Sequence, residues 1–353
     1  MADAQKRAPT WERVVEAIGV SLVIPVRNEE RSLPRLIASI RAQTRLPDEV
    51  ILVDGGSTDG TVALARQLTA HDPRWRIVEA GPATPGRGRN VGIAAARYEW
   101  IALTDAGIRL EPDWLEQLVA VAASDPGLAI IYGNYEPVTD SFFTRCAALA
   151  YVPPREERPG GRMRGPCIAS SLVRRQAWEA VGGFPDLRAA EDLIFFERLS
   201  RAGLRAGWAP RATVWWEIQP SLLATFRRFV LYSRHNVWAG RQAYWHYGLA
   251  RQYLMALPFL GLALLHSAWW LVVPLLAGSA RVARSLWRRR EGRGVAWLLN
   301  PIRFLGVAVV LLAVDLATFV GWAQARWGGP PPAPRKDGSG MLEPLASPPS
   351  IEP

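Results

Sequence analysis

The chain has 353 residues, enough for one large α/β domain with an appendage, and its two cysteines, Cys146 and Cys167, exclude a disulfide framework and read as reduced, structural thiols. Its 42 basic residues exceed its 32 acidic ones for a net charge of +10. Only Lys6 and Lys336 are lysines, and arginines gather beside apolar runs, at 227, 228, 234, 241 and 251 and again over 281–293, a placement that suits a membrane with anionic lipids and argues against nucleic acid.

Residues 1–17 carry Asp3, Lys6, Arg7, Glu12, Arg13 and Glu16 without an apolar core, so no signal peptide is read there. Apolar residues 20–25 predict a strand ending in Val26-Arg27-Asn28-Glu29-Glu30. Ser32 and Pro34 then open an amphipathic helix to about Ala42. A second strand, 50–53, delivers Asp54 to its end, and Gly55-Gly56-Ser57-Thr58-Asp59-Gly60 turns the chain into a helix reaching about Ala70. Open α/β folds bind ligands at such carboxyl ends of parallel strands.

A third strand is expected over 75–79. Residues 81–89, Gly-Pro-Ala-Thr-Pro-Gly-Arg-Gly-Arg, read as a flexible basic loop feeding a helix over 90–97, whose start would present free amides. The next strand, 98–104, also ends in an acid, Asp105, and Glu111 and Asp113 fit the capping of a following helix. Glu191 and Asp192 precede a helix over 193–202. No charged residue separates Arg251 from Arg281, and the apolar runs 253–280 and 304–323 match the roughly 20 residues a bilayer-crossing helix needs. The second run contains Asp315, which should face protein or water rather than lipid.

These stretches, with Arg89-Asn90-Val91-Gly92, Thr104-Asp105-Ala106-Gly107, Gly182-Gly183-Phe184 and Ala190-Glu191-Asp192, resemble a family 2 glycosyltransferase of the inverting GT-A type over roughly residues 18–235. The resemblance implies an α/β fold, a GT-A (Rossmann-like, mostly parallel sheet) catalytic domain followed by carboxyl-terminal membrane helices. It implies that Pro25, Arg27, Asn28, Glu29, Asp54, Arg89, Asn90 and Asp105 bind a nucleotide-diphospho-sugar. Asp192 would be the general base, with Glu191 beside it raising its pKa. Asp105 would be the metal ligand for Mg2+ or Mn2+, although Gly107 stands where the family's second acid is usual.

The layout is similar to that of bacterial exopolysaccharide transferases of the succinoglycan type, which implies a lipid or lipid-linked glycan acceptor. Gln219 is not followed by the Gln-x-x-Arg-Trp motif of processive synthases, which implies one sugar per encounter. The expected organisation is an extension (1–17), a catalytic domain (18–235), an interfacial segment (236–252), a membrane-associated region (253–327) and a disordered tail (328–353). The catalytic domain is expected in the cytoplasm at the inner membrane. Pro258 and Pro274 read as breaks that return the first apolar run on itself and keep the arginine loop 281–293 cytoplasmic. Two other readings of the same residues remain: a non-catalytic nucleotide-sugar-binding scaffold, suggested by Gly107, and a sugar nucleotidyltransferase, which would want a Gly-rich loop where Arg27-Asn28-Glu29-Glu30 stands.

Overall fold

The computed structural model describes residues 18–329, so the extension 1–17 and the tail beyond 329 lie outside the described residues. The described chain forms two compact units, one of residues 18–132 and 168–212, the other of 133–167 and 213–329. This division differs from a boundary at 235, because 133–167 and 213–235 group with the carboxyl-terminal helices.

The first unit contains β1 (Val20–Val26), β2 (Glu49–Asp54), β3 (Trp75–Glu79), β4 (Trp100–Leu103), β5 (Ile108–Leu110), the start of β6 (Ile130–Val138), β9 (Ser171–Arg174) and the start of β10 (Ala206–Glu217). The sheet order is β3-β2-β1-β4-β9-β6-β10-β5. β1 runs parallel to β2 and β4, and β2 parallel to β3, while β9 is antiparallel to β4 and β6. Every residue of β2 is buried, as expected of a strand covered on both faces. The helix α1 (Leu33–Arg41) lays Leu33, Leu36, Ile37 and Ile40 into the core at helical spacing. The other helices of this unit are α2 (Thr61–Thr69), α3 (Pro85–Ala95), α4 (Trp114–Ser124), α6 (Arg175–Ala180) and α7 (Glu191–Arg201).

α3 corrects the expected loop over 81–89. Thr84 caps it by accepting from the Arg87 N–H at 3.2 Å, and Pro85 sits in its first turn, so Gly-Arg-Gly-Arg is helical and Asn90 lies mid-helix. Free amides at Asn90 are therefore not available. The glycines serve close packing: a Cβ on Gly92 would lie 2.3 Å from Val23 Cγ1, and one on Gly86 would lie 2.1 Å from the Pro185 carbonyl oxygen. The cost of glycine in a helix, roughly 1 kcal/mol each, is offset by letting α3 lie directly against β1 and β2.

The second unit contains the later residues of β6 and β10, the hairpin β7 (Glu156–Arg158) and β8 (Gly161–Met163), α5 (Phe142–Tyr151), α8 (Leu222–Trp238), α9 (Gln242–Leu265), α10 (Val272–Arg288), α11 (Val295–Leu298) and α12 (Pro301–Gly328). Ser141 and Thr144 cap α5 reciprocally. Cys146, Ala147, Leu286, Val307 and Val310 form its buried core. The first apolar run breaks at His266 and Ser267, whereas Pro258 sits inside α9 and Pro274 is accommodated in the first turn of α10, where a missing N–H costs nothing. Asp315 on α12 faces protein. Its carboxylate accepts from both guanidinium nitrogens of Arg281 on α10, one at 2.8 Å, and from the Tyr253 hydroxyl on α9 at 2.8 Å. Because Tyr253 and Arg281 flank the break and meet at one carboxylate, α9 and α10 fold back as a hairpin.

Candidate functional site

The parallel register sets Val26 opposite Asp54 and Val23 opposite Leu103, so the ends of β1, β2 and β4 share one edge of the sheet. The loops beyond them are tied together. Asn28, at φ 57°, donates its N–H to Ser57 Oγ at 2.9 Å and accepts from the Thr58 N–H through Oδ1 at 2.8 Å. Asparagine tolerates this left-handed conformation. The Glu29 N–H donates to Thr61 Oγ1 at 2.8 Å, and its carboxylate accepts from the Ser32 hydroxyl. Pro25 is half-buried and Arg27 exposed beside them.

Asp54 is buried and accepts from the Gly56 N–H at 3.0 Å and the Ser57 N–H at 3.1 Å, so it closes its own turn as well as standing at the strand end. Asp59 does the same one turn later, accepting from the Thr61 N–H at 3.0 Å. At the far end of the same strand, Glu49 is buried and accepts from Ser21 Oγ, Arg76 and the Arg97 N–H, a purely internal role.

Arg89 organises the acidic side. Only 2% exposed, its guanidinium donates to Asp105 at 2.6 Å and to Glu191 at 2.8 Å, and it lies 5.7 Å from the Phe184 ring centre. Burial works against its charge, yet Asp105 and then Glu191 hold its pKa above the usual arginine value. The two acids thus come from the turn after β4 and the first turn of α7. Asp192 follows Glu191, half-buried, its carboxylate accepting from the Leu193 N–H at 2.8 Å. Asn90 spends its side chain elsewhere: it donates to the Phe184 carbonyl at 2.8 Å and accepts from Trp178 Nε1 and the Phe184 N–H, both at 2.9 Å. It fastens α3 to the Gly183-Phe184 segment, and Gly183, at φ 67°, leaves room that a Cβ 2.7 Å from Asn90 Oδ1 would close.

Three residues have roles that their place in the sequence did not assign. Phe184 stacks on Phe195 with ring centres 4.0 Å apart beneath Arg89; Thr84 donates to Asp186 at 2.5 Å; and Ala190 sits at φ 68° immediately before the acids. The Gly-Gly-Phe segment pointed toward the first. Nothing local signals the others.

One arginine faces three carboxylates. Burial pushes the Asp192 carboxyl above the ordinary aspartate range against the pull of Arg89, and Asp105 adds to the rise; burial likewise raises Glu191 despite its Arg89 partner. Among the described residues no group of three His, Cys, Asp or Glu side chains comes together as a protein-held metal would require. Asp105 alone, already paired with Arg89, fits an ion only where a ligand supplies further oxygens.

Two family models match the chain, "Glycosyl transferase family 2" over residues 21–177 and "Glycosyl transferase family group 2" over residues 100–319, more than half of it. The chain is 28% identical over 228 residues to the "Succinoglycan biosynthesis protein ExoA" of Rhizobium meliloti, covering 60% of this chain and 67% of that protein. It is 28% identical over 223 residues to the "N-acetylglucosaminyl-diphospho-decaprenol L-rhamnosyltransferase" of Mycobacterium tuberculosis, covering 52% and 70%. Other curated relatives are matched over only 34% of their own length. The fold is similar to the "Mannosyltransferase PcManGT from Pyrobaculum calidifontis", with a TM-score of 0.53, 18% identity, and 91% and 93% of the two chains covered.

The raised carboxyl has a consequence for stability. An acid whose folded pKa exceeds its unfolded value supports the fold below the unfolded pKa and loses that support as pH rises through the folded pKa. Ionised Asp192 therefore costs stability near neutrality. Asp192→Asn should raise the melting temperature at pH 7 to 8 and leave it unchanged near pH 3. A shift of equal size at both pH values would contradict this electrostatic account.

Proposed function

The chain belongs to glycosyltransferase family 2, and we propose that it moves a sugar from a nucleotide-diphospho-sugar to a lipid or lipid-linked glycan, with inversion, one sugar per encounter. The observation that carries this reading is the Arg89 bridge, which draws the acid after β4 and the acid pair of α7 into one network. The relative named for a diphospho-decaprenol acceptor and the one named for succinoglycan biosynthesis support the acceptor class.

In the proposed reaction the nucleotide lies along the sheet edge formed by Pro25, Arg27, Asn28, Glu29 and Asp54. Asp192 takes the proton of the acceptor hydroxyl as its oxygen bonds to the anomeric carbon, and the bond from that carbon to the diphosphate oxygen breaks on the opposite face. The leaving group is the nucleoside diphosphate. The raised pKa of Asp192 suits a base that must hold a proton during the step. Arg89 and Glu191 fix the base and Asp105 relative to one another. Asn90 acts by anchoring α3. Asp192→Asn should reduce transfer by at least about a hundredfold, the usual scale of general-base catalysis, with donor affinity within a few-fold. Near-normal turnover in that variant would remove Asp192 from the role, and a wild-type protein that binds donor without transfer or hydrolysis would favour the scaffold reading.

A divalent ion, Mg2+ or Mn2+, would be held by Asp105 and two diphosphate oxygens of the donor, and would neutralise charge on the leaving group. Excess EDTA should slow transfer without abolishing it. A Cβ on Gly107 meets nothing within 4 Å, so Gly107→Asp has room and should deepen the EDTA effect. Full activity of both proteins in EDTA removes the ion from the proposal.

α9 and α12 are long and apolar enough to cross a membrane. The apolar window of α9 is only 6% buried and that of α12 is 44% buried, which supports a hairpin of α9 and α10 that dips into an inner membrane from the cytoplasmic side. The arginine-rich segment after α10 then stays cytoplasmic with the catalytic unit. In a Cys-free background, Val295→Cys should resist a membrane-impermeant thiol reagent added to intact cells. Ready labelling would instead mean that this segment crosses.

A further inference from the structure

The second unit holds a cavity of about 660 Å³ whose wall carries eight arginines and only two acids, Glu136 and Glu291. Arg155 and Arg164 occupy Glu136 at 2.8 and 2.9 Å, and Arg155 lies 3.8 Å from Glu291. Arg162 pairs with Glu157 at 3.0 Å, and Arg145, Arg288, Arg289, Arg293 and Arg303 make no ion pair among the described residues, so five positive charges around one concavity lack an acid partner. Arg289 shows the shortage of negative charge most directly. Among the described residues its guanidinium meets only oxygens of neutral groups, the Val152 carbonyl at 2.5 Å, Ser285 Oγ at 2.7 Å and the Ser285 carbonyl at 3.2 Å. Burial, reinforced by Arg288 and Arg164, pushes its pKa down to about 10.

Arg289, Arg293 and Arg303 are held in place without anions. Arg303 and Arg293 lie over the Trp297 ring at 4.2 and 5.0 Å from its centre, and Arg303 also donates to the Trp297 carbonyl. Clustered like charge with converging donors in a cleft selects a multiply charged anion, and guanidinium forks match phosphate oxygens. The volume lies within the roughly 300–1,000 Å³ of small-molecule sites, which is larger than a single phosphate needs. Apolar side chains that are far from buried, Phe142 at 48% and Ile302 at 68% exposed, stand in the same wall. A free inorganic anion has no use for them, whereas a lipid chain leaving the cavity does.

We propose that this cavity binds the diphosphate of a lipid-linked acceptor, an inference that rests on the transferase reading above for its biological purpose but not for its chemistry. Its test uses the full chain in detergent micelles, with farnesyl diphosphate and inorganic pyrophosphate as probes and no sugar donor present. Arg145 and Arg288 line the cavity and make no ion pair among the described residues, so Arg145→Gln with Arg288→Gln removes charge without orphaning an acid. Farnesyl diphosphate should bind the wild type and lose at least about tenfold in affinity in the double variant, the effect of one strong charged contact. The Arg145→Lys, Arg288→Lys pair should recover part of that loss, and the affinity for GDP or UDP should stay unchanged in both.

Equal binding of farnesyl diphosphate by wild type and double variant would overturn the site. Pyrophosphate binding as tight as farnesyl diphosphate would overturn the lipid source and leave a free-diphosphate site. A parallel fall in nucleoside diphosphate affinity would overturn the proposal by making the cavity part of the donor site. Farnesyl diphosphate binding that depends on Arg145 and Arg288 in a protein lacking transferase activity would uphold the cavity and defeat the functional reading instead.

Discussion

The organisation of the acidic site depends on one buried guanidinium. Arg89 has almost no contact with water, and Asp105 and Glu191 offset the cost of burying its charge. Such a network is not explained by stability, since well-packed apolar residues usually serve as well or better in a core. What the guanidinium does contribute is geometry. Its planar fork reaches two carboxylates at once, so the turn after β4 and the start of α7 cannot shift independently. The rest follows as a requirement of placing that fork: α3 must lie hard against the sheet, hence Gly92, and it must be pinned close to the segment before α7, hence Gly86, Asn90 and Gly183.

The neighbouring acids sit under opposed influences. The first turn of a helix favours ionised carboxylates through its unpaired amides and dipole, while burial favours the protonated form. Both Glu191 and Asp192 lie in that first turn, and burial wins. Ala190 adds a further cost by taking a left-handed conformation, roughly 1–2 kcal/mol for a residue other than glycine. Strain of this kind persists only where surrounding contacts enforce it, and here it sets the angle at which the acid pair enters the helix.

Much of the first unit was legible in the sequence because its strands are short, apolar and bounded by turn residues. β3 spans 75–79 as expected, and β1 and β2 extend the expected 20–25 and 50–53 by a residue or so at their ends. Asp54 stands at a strand end, as its place between an apolar triplet and two glycines suggested. The failure at α3 has a clear cause: glycine and arginine in alternation have weak helix propensity, but tertiary packing decided the outcome through contacts with Val23 and Pro185 that no local window contains. The Arg89–Glu191 pair joins residues 102 apart and carries no periodic signature. In the second unit, the arginines beside the apolar runs were visible as composition, yet the convergence of Arg288, Arg289 and Arg293 on one cavity with Arg145 and Arg164 depends on tertiary folding.

The carboxylate of Asp315 constrains how the second unit comes into being. An acid or an arginine carried alone into the middle of a bilayer costs about 2.5–3.5 kcal/mol on insertion scales. Asp315 belongs to α12, while Tyr253 and Arg281 belong to α9 and α10, which are synthesised before it. On the membrane placement proposed above, the hairpin emerges from the ribosome with an arginine still lacking its partner, and α12 arrives bearing a matching charge. Neither piece is well suited to settle by itself, so assembly of the three helices becomes a joint event, and truncating the chain before α12 would leave the hairpin with an unmatched positive charge.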